Sequence, residues 1–316
     1  MSNGLWPESA RCLSPEGERA DIMLGLGRVE IPVLDEYGFV ALVDVMPRMV
    51  PVAGAGGESP LGDSAIVQAA RVSRAGGTKA PGDDRVLIRY LMRHGHMSPF
   101  EQAEVKFHVS MPIFVARQWV RHRAAHLNEV SARYSELPDH FYIPRRGVIG
   151  GQSRANRQGR DDALDADVAG RFRSWLESSS ARQHADYTVF TGDNVARELA
   201  RLGLPVNVYT QWYWKCDLRN VLHFLALRMD RHAQWEIRQY ANAVHDLIAP
   251  LFPFTFEAWR EYEVESVRLT RAEVAALASG ASAPPVIHEN QREQREWEDK
   301  WGRVREYASG GRTLRA

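Results

Sequence analysis

The sequence predicts an α+β fold. Segments with strand-like apolar patterns are interspersed with segments whose apolar residues recur at helical spacing. They follow one another without the regular strand–helix–strand repeat of a doubly wound parallel sheet. The chain has 316 residues, of which 44% are apolar and 25% charged, so its composition is that of a globular protein able to bury a sizeable core.

Three segments have the composition of β-strands. Residues 38–46 (GFVALVDVM) are mostly apolar, residues 105–109 alternate between apolar and polar, and residues 206–215 (VNVYTQWYWK) combine aromatic and β-branched side chains. The Gly- and Pro-rich residues 47–62 are predicted to form a loop. Because their glycines match neither common phosphate-binding motif, we assign them no phosphate-binding role.

Helices account for most of the remaining chain. We expect Asp63 or Ser64 to cap a helix that runs to about residue 72, and Asp83 to open a second helix that ends at Gly95. The apolar face of that second helix is predicted to comprise Val86, Leu87, Tyr90 and Leu91. Pro112 begins the helical segment PIFVARQWV, since proline is tolerated in a first turn.

Helical patterns continue in the second half, after a Gly-rich surface loop predicted at residues 147–160. Further helices are expected at residues 161–187, 193–202 and 218–229, and in a segment whose buried stripe comprises Ile237, Tyr240, Ala241, Val244 and Ile248.

The sequence pattern predicts three regions: an N-terminal extension at residues 1–35, a main domain at residues 36–262 and a charged helical tail at residues 263–316. In the tail, Thr270 and Glu273 predict a capping box. A narrow apolar stripe follows it, which we expect to dock on the main domain or on a neighbouring subunit. Its residues are Trp297, Trp301 and Val304.

Composition excludes several classes of protein. Forty basic and 40 acidic residues give a net charge of zero, which argues against a nonspecific nucleic-acid coat. Two cysteines exclude a disulfide scaffold and a Cys-rich zinc module. We expect a cytoplasmic protein without a membrane span, since no signal pattern begins the sequence and no apolar run approaches ~20 residues.

The densest polar cluster follows the PIFVARQWV helix and is expected to continue as loop. It contains Arg117, Gln118, Arg121, His122, Arg123, His126, Asn128, Glu129, Ser131 and Arg133. Guanidinium groups recognise phosphates and planar carbonyls through several parallel donors, so this cluster suits a nucleotide. The alternative is a solvated helix end.

Two further clusters carry polar chemistry. His94 and His96 could bind a metal, but the spacing is a weak signal and the neighbouring arginines disfavour a dication. Arg201, Asp217, Arg219, His223 and Arg228 form the other cluster, in which Arg219 and His223 share a helical face. A helix cap at Asp217 and a buried structural histidine at His223 are the alternatives there.

These residues resemble the flavin-dependent thymidylate synthases. The family signature is Arg-His-Arg followed after seven residues by Ser, and here it reads Arg121-His122-Arg123-AAHLNEV-Ser131. The resemblance spans about residues 38–262. It includes the segments QAARVS, YLMRHGHMSPFE, FYIP, HFLALR and HAQWEIRQYA.

The resemblance implies an α+β fold with an antiparallel sheet and packed helices, assembled as a homotetramer with shared active sites. It implies C5 methylation of a uracil nucleotide, dUMP or UMP, with FAD as redox carrier, NADPH as reductant and 5,10-methylenetetrahydrofolate as one-carbon donor. No nucleic-acid polymer is implied as a partner.

Site residues follow position by position from the resemblance. The flavin-contacting positions are Ser73, His96, Ser98, Arg121, His122, Arg123, Glu129, Asp217, Arg219 and His223. The nucleotide-contacting positions are Gln118, Arg121, Glu129, Ser131, Ala132, Arg133, Arg201 and Arg228. Arg228 matches the arginine at the uracil ring that favours ionisation of N3, which makes it the catalytic candidate.

Two positions depart from the family pattern. His126 replaces a serine in the signature, and Asp217 replaces an asparagine in the second flavin segment. The altered signature makes the chain similar to the UMP/dUMP methylases of polyoxin-type nucleoside antibiotic pathways. His126 is therefore our specificity candidate, acting on the ribose 2′-OH directly or by reshaping the loop. A dUMP-specific thymidylate synthase is the alternative.

Neither cysteine lies in the sequence context of a classical thymidylate synthase nucleophile, although a nucleophilic Cys216 stays open. An arginine-rich, cysteine-poor site favours flavin chemistry, in which charge on the uracil is stabilised by Arg228 or Arg201. Two other classes are disfavoured. Zero net charge and the ordered pattern of helices and strands argue against an RNA-binding protein that stacks bases on Trp119, Tyr134, Trp212 and Trp214. The weak histidine spacing and the neighbouring arginines argue against a metallohydrolase. A flavin absorption spectrum distinguishes all three.

Overall fold

The structure is a computed structural model that describes residues 11–12, 29–46, 61–73, 84–153 and 158–308. Its contacts divide the chain into two compact units. The first comprises Met1–Asp84 and Met97–Pro253, and the second comprises Arg85–His96 and Phe254–Ala316.

The first unit contains eight strands in the described residues. They are β1 (Arg11–Cys12), β2 (Val29–Pro32), β3 (Phe39–Met46), β4 (Glu104–Pro112), β5 (His126–Glu129), β6 (Gly150–Gln152), β7 (Arg160–Ala163) and β8 (Tyr209–Asp217). Six of them form a sheet of order β1-β2-β3-β4-β8-β5, in which each neighbouring pair is antiparallel. Strands β6 and β7 form a separate antiparallel pair.

Helices connect these strands and form most of the second unit. They are α1 (Leu61–Arg71), α2 (Asp84–Arg93), α3 (Ile113–Trp119), α4 (Ala166–Gly192), α5 (Arg197–Ala200), α6 (Leu218–Arg228), α7 (Trp235–Ile248), α8 (Pro253–Trp259), α9 (Arg271–Ala278) and α10 (Gln291–Ala308). The predicted α+β class with an antiparallel sheet is therefore confirmed.

Strand β8 lies between β4 and β5, and its side chains alternate between two environments. Trp212, Trp214 and Cys216 are buried, whereas Gln211 and Tyr213 are exposed. On the buried face, α3 and α6 cover the strand. Trp119 of α3 is fully buried, and its ring centroid lies 5.4 Å from that of Trp214 and 4.8 Å from that of Phe224 in α6.

Helix α7 carries the apolar stripe that the sequence predicts. All five residues of the stripe, Ile237, Tyr240, Ala241, Val244 and Ile248, are buried. The Tyr240 hydroxyl donates a hydrogen bond of 2.9 Å to the carbonyl oxygen of Ser110 in β4, which satisfies a polar group inside the core.

Two element boundaries near the N-terminus differ from the prediction. Val29 and Ile31 are buried in β2, so part of the predicted extension belongs to the sheet. Helix α1 begins at Leu61, which places buried Asp63 inside its first turn rather than at its cap. Of the predicted loop at residues 47–62, residues 47–60 lie outside the described part of the chain.

Two polar segments predicted as loops contain strands. The predicted loop at residues 147–160 contains β6, which pairs with β7. The helix predicted from residue 161 begins only at Ala166, where the Asp165 side chain caps it. The polar segment after the Arg-His-Arg motif forms β5, whose four residues are all exposed. Backbone pairing with β8 compensates there for weak apolar patterning.

In the second unit, α2 buries Ile88, Leu91 and Met92, whereas Val86 and Tyr90 are 56% and 43% exposed. The predicted apolar face is therefore confirmed at Leu91 and wrong at Val86 and Tyr90. Gly95 follows the helix with a φ of +66°, as a helix stop requires.

The capping box of Thr270 and Glu273 is present at the start of α9. Trp297 and Trp301 of α10 pack against Ala276 of α9, so the stripe is covered within the C-terminal segment itself. This corrects the expectation that it docks on the main domain or a neighbouring subunit. Every helix in the described part of the chain is too short or too polar to span a membrane.

Gly38, in the turn between β2 and β3, provides a test of this packing. A Cβ there would overlap the Val33 carbonyl oxygen and approach the Tyr240 hydroxyl to 2.6 Å. We expect Gly38→Ala to lower the free energy of unfolding by about 1–3 kcal/mol. Gly147→Ala is the control, because a Cβ at Gly147 meets nothing within 4 Å. Equal denaturant midpoints for the two variants would contradict this packing.

Candidate functional site

The Arg-His-Arg segment is held between a helix and a strand. Helix α3 ends at Trp119, the motif follows at Arg121–Arg123, and β5 then pairs with β8. The Cys216 thiol of β8 donates to the carbonyl oxygen of Ala124 at 3.1 Å. The segment is therefore tied to the end of β8, where α6 begins.

His122 lies half-buried against α6. Its ring centroid is 5.9 Å from that of His223 and 5.7 Å from that of Phe224. Burial lowers the pKa of His122, and the electrostatic influence of His223 and Arg228 lowers it further. Its Nε2 atom is buried and has no hydrogen-bond partner among the described residues. Such a buried, unpaired nitrogen suits a ligand contact.

Arg228, at the end of α6, completes a group of positive side chains. One guanidinium nitrogen donates to the carbonyl oxygen of Gln118 at 3.1 Å, while Nε is buried without a partner in the described structure. Burial lowers the pKa of Arg228, and the nearby charge of Arg121 lowers it further. No carboxylate of the described chain forms an ion pair with either arginine, so the group favours an anionic ligand.

Asp217 acts as the N-cap of α6. Its carboxylate accepts hydrogen bonds from the backbone N–H of Asn220 at 3.0 Å and from the Asn220 side chain at 2.7 Å. Asparagine and aspartate are both favoured caps, so the departure from the family pattern preserves this local role. The adjacent Arg219 is bonded to Glu101.

Glu129 and His126 lie on opposite faces of the sheet. Glu129 is opposite Trp212 in the register, and its carboxylate accepts a 2.7 Å hydrogen bond from the Thr210 hydroxyl. His126 is opposite Lys215 and lies on the other face, because side chains alternate along a strand.

The loop after β5 brings the next predicted residues together. Ala132 is buried in a cluster with Leu204, three residues beyond Arg201. Arg133 lies 3.7 Å from Glu198 in an ion pair whose side chains are both more than half exposed. The Ser131 hydroxyl accepts a hydrogen bond from the backbone N–H of Arg133 at 3.3 Å.

The other predicted residues are exposed. Arg201 begins a 3-10 turn, Ser73 lies beyond α1, Ser98 lies before the turn at Phe100–Gln102, and Arg123 follows His122. His96 belongs to the second unit, where its ring lies 5.9 Å from that of Tyr90. Among the described residues, no group of three or more potential ligands could hold a metal.

Gln234 and Glu236, which connect to the candidate site through Gln118, were not identified from the sequence. The Gln118 side chain donates to Gln234, and Gln234 donates to the buried carboxylate of Glu236 at 2.8 Å. Glu236 was visible in principle, since it stands one turn before Tyr240 on the apolar stripe of α7. A carboxylate in a buried stripe signals a structural or functional requirement.

Known proteins are similar to this chain in sequence. Residues 58–254 match the family model described as "Thymidylate synthase complementing protein". A flavin-dependent thymidylate synthase of Dictyostelium discoideum is 48% identical over 288 residues, which cover 91% of each chain. The enzyme of the same name from Ruegeria pomeroyi is 46% identical over 280 residues, which cover 86% of this chain and 88% of the relative.

A solved structure is also similar. The UMP/dUMP methylase PolB from Streptomyces cacaoi, bound with 5-Br UMP, is 35% identical and aligns with a TM-score of 0.60. The alignment covers 71% of this chain and 94% of that protein. With the signature in place against α6, the protein described here belongs to the thymidylate synthase complementing protein family, the family of flavin-dependent thymidylate synthases.

Proposed function

We propose that the protein methylates C5 of a uracil nucleotide, with 5,10-methylenetetrahydrofolate as carbon donor and NADPH as reductant of FAD. The observation that carries this proposal is the placement of the Arg-His-Arg motif beside Arg228, where no carboxylate of the described residues is ion-paired with Arg121 or Arg228. The comparisons support the same chemistry, because the relatives are named flavin-dependent thymidylate synthases.

The residues present fit a flavin dinucleotide. Its diphosphate is anionic, and exposed Arg121 and Arg123 offer guanidinium donors to it. His122 offers a buried nitrogen that has no partner among the described residues. Asp217, Arg219 and His223 would hold the cofactor from α6, with Ser73, Ser98 and Glu129 as further contacts. When bound, FAD supplies the hydride for methyl formation.

The nucleotide would be held by charge and by hydrogen bonds. Arg133 and Arg201 are exposed guanidinium groups suited to its phosphate, and Arg121 adds a third. Ser131 and Ala132 shape the loop around it, and Gln118 and Glu129 offer polar contacts. Arg228 is the catalytic residue, since a half-buried cation stabilises negative charge on the uracil ring more strongly than one in water.

We assign this chemistry to residues 36–262 and infer a homotetramer with shared active sites. The long helix α4 supports assembly, because it exposes large apolar side chains. Phe172, Trp175, Val189 and Phe190 are 41%, 59%, 59% and 52% exposed. His126 lies on the sheet face opposite Glu129. In a shared site, His126 can therefore contact a nucleotide bound with a neighbouring subunit.

Two measurements test the function. The purified protein should bind FAD with a flavin absorption spectrum, and it should convert dUMP to dTMP when given methylenetetrahydrofolate and NADPH. Dependence of turnover on added FAD distinguishes this chemistry from the thiolate route. Flavin binding without any methyl transfer to dUMP or UMP would contradict the proposal.

The proposed function predicts the breadth of substrates that the protein accepts. We expect methylation of both dUMP and UMP, with kcat/KM values within about a hundredfold, or ~2.7 kcal/mol. His126→Ser should shift preference toward dUMP, because the larger side chain no longer shapes the site around the 2′-OH. Competition between the two nucleotides in one assay measures the ratio. His245→Ser, a histidine of α7 bonded to Asp246, is the control and should leave the ratio unchanged.

Turnover of dUMP alone would favour the alternative, a strictly dUMP-specific thymidylate synthase. An unchanged ratio in His126→Ser would place the determinant of breadth elsewhere.

The proposed function also predicts that catalysis does not depend on cysteine. Cys216 is 2% exposed, and burial raises the pKa of its thiol well above the usual range, so little thiolate is present. The double variant Cys12→Ser, Cys216→Ser should retain methyl transfer, since the serine hydroxyl can still donate to Ala124. Loss of turnover with normal flavin binding and melting would indicate a nucleophilic cysteine.

A further inference from the structure

We propose that Gln234 and Glu236 act as positioning residues that fix the orientation of the Gln118 amide toward the nucleotide. The three residues form a polar relay, Gln118–Gln234–Glu236, that leads from the buried core to the site. This inference rests on the proposed function, in which Gln118 contacts the nucleotide.

The inner end of the relay is a buried acceptor. Glu236 is 3% exposed and accepts hydrogen bonds from Arg160 at 3.0 Å, from the Tyr142 hydroxyl at 3.3 Å and from Gln234 at 2.8 Å. Burial beside Glu236 raises the pKa of Tyr142, which keeps that hydroxyl a donor. The carboxylate is therefore held in place by donors on three sides.

The relay has a fixed direction. A carboxylate only accepts hydrogen bonds, so Gln234 must turn its Nε2 toward Glu236. Its Oε1 then faces Gln118, which must present Nε2 in turn. The Oε1 of Gln118 is left as an acceptor for an N–H or O–H donor of the nucleotide. A free glutamine would present either end of its amide.

The position of Gln234 indicates that its side chain serves the relay rather than the helix. Gln234 is the N-cap residue of α7, yet its side chain makes no capping hydrogen bond. Serine, threonine, aspartate and asparagine are the favoured caps, so glutamine is a poor choice for helix stability. Its partner Gln118 also accepts from Arg228 through its backbone carbonyl, which joins the relay to the catalytic arginine.

Gln234→Ser separates these two roles. Serine can cap α7 but is too short to bridge Gln118 and Glu236. We expect an unchanged or higher melting temperature, normal FAD binding, and a dUMP dissociation constant raised about tenfold, as for one lost hydrogen bond. At saturating dUMP, kcat should stay within about twofold of native, since the relay orients a binding contact. Calorimetry on the FAD-loaded protein measures the affinity.

Gln239→Ser is the control on the same helix, because within the described part of the chain the Gln239 side chain bonds only to the backbone of its own turn, at Trp235. It should leave the dUMP affinity unchanged. A lower melting temperature together with weakened FAD binding in Gln234→Ser would indicate a structural role and overturn the inference.

A double-mutant cycle tests the coupling directly. If Gln234 acts through Gln118, then Gln234→Ser should have little further effect on dUMP affinity in a Gln118→Ala background. Additive effects would overturn the relay. If Gln118→Ala alone left the dUMP affinity unchanged, the relay would also be overturned, whereas the proposed methyl transfer would still stand. Absence of dUMP binding to the native protein would instead overturn the proposed function.

Discussion

The pairing of β8 with β4 on one side and β5 on the other is the constraint on which the site depends. β8 carries the buried tryptophans that pack against α3 and α6, and it ends at the Asp217 cap from which α6 starts. β5 brings the Arg-His-Arg segment to the same end of the strand. The register of β5 on β8 sets the position of His122, and the cap at the end of β8 sets the start of the helix that carries Arg228. The two side chains therefore lie near each other.

This geometry concentrates positive charge at the edge of an apolar core. Arg121 and Arg228 repel each other, and burial of His122 disfavours its protonated form. This arrangement is electrostatically unfavourable in the free protein, because like charges are held together without a paired carboxylate among the described residues. An anionic ligand offsets this repulsion, so the fold favours binding of the negatively charged nucleotide and flavin.

The sequence predicted those parts of the fold in which local pattern and tertiary packing agree. The stripe of α7 and the apolar residues of β3 and β8 were identified because burial follows their periodicity. Strand β5 was not, since its polar residues form a strand only by pairing with β8. The signature motif located the cationic residues, whereas Gln234 and Glu236 emerged only from side-chain contacts between α3 and α7.

Arg228 is proposed to stabilise negative charge on the uracil ring, and the ionisation of bound nucleotide tests this role most directly. The pKa of N3 can be followed by NMR with dUMP labelled with ¹⁵N at N3, bound to the FAD-loaded protein. We predict that N3 of bound dUMP ionises at a lower pH than in free dUMP, and that Arg228→Gln restores the pKa of the free nucleotide. Equal pKa values for bound and free dUMP on the native protein would contradict the account.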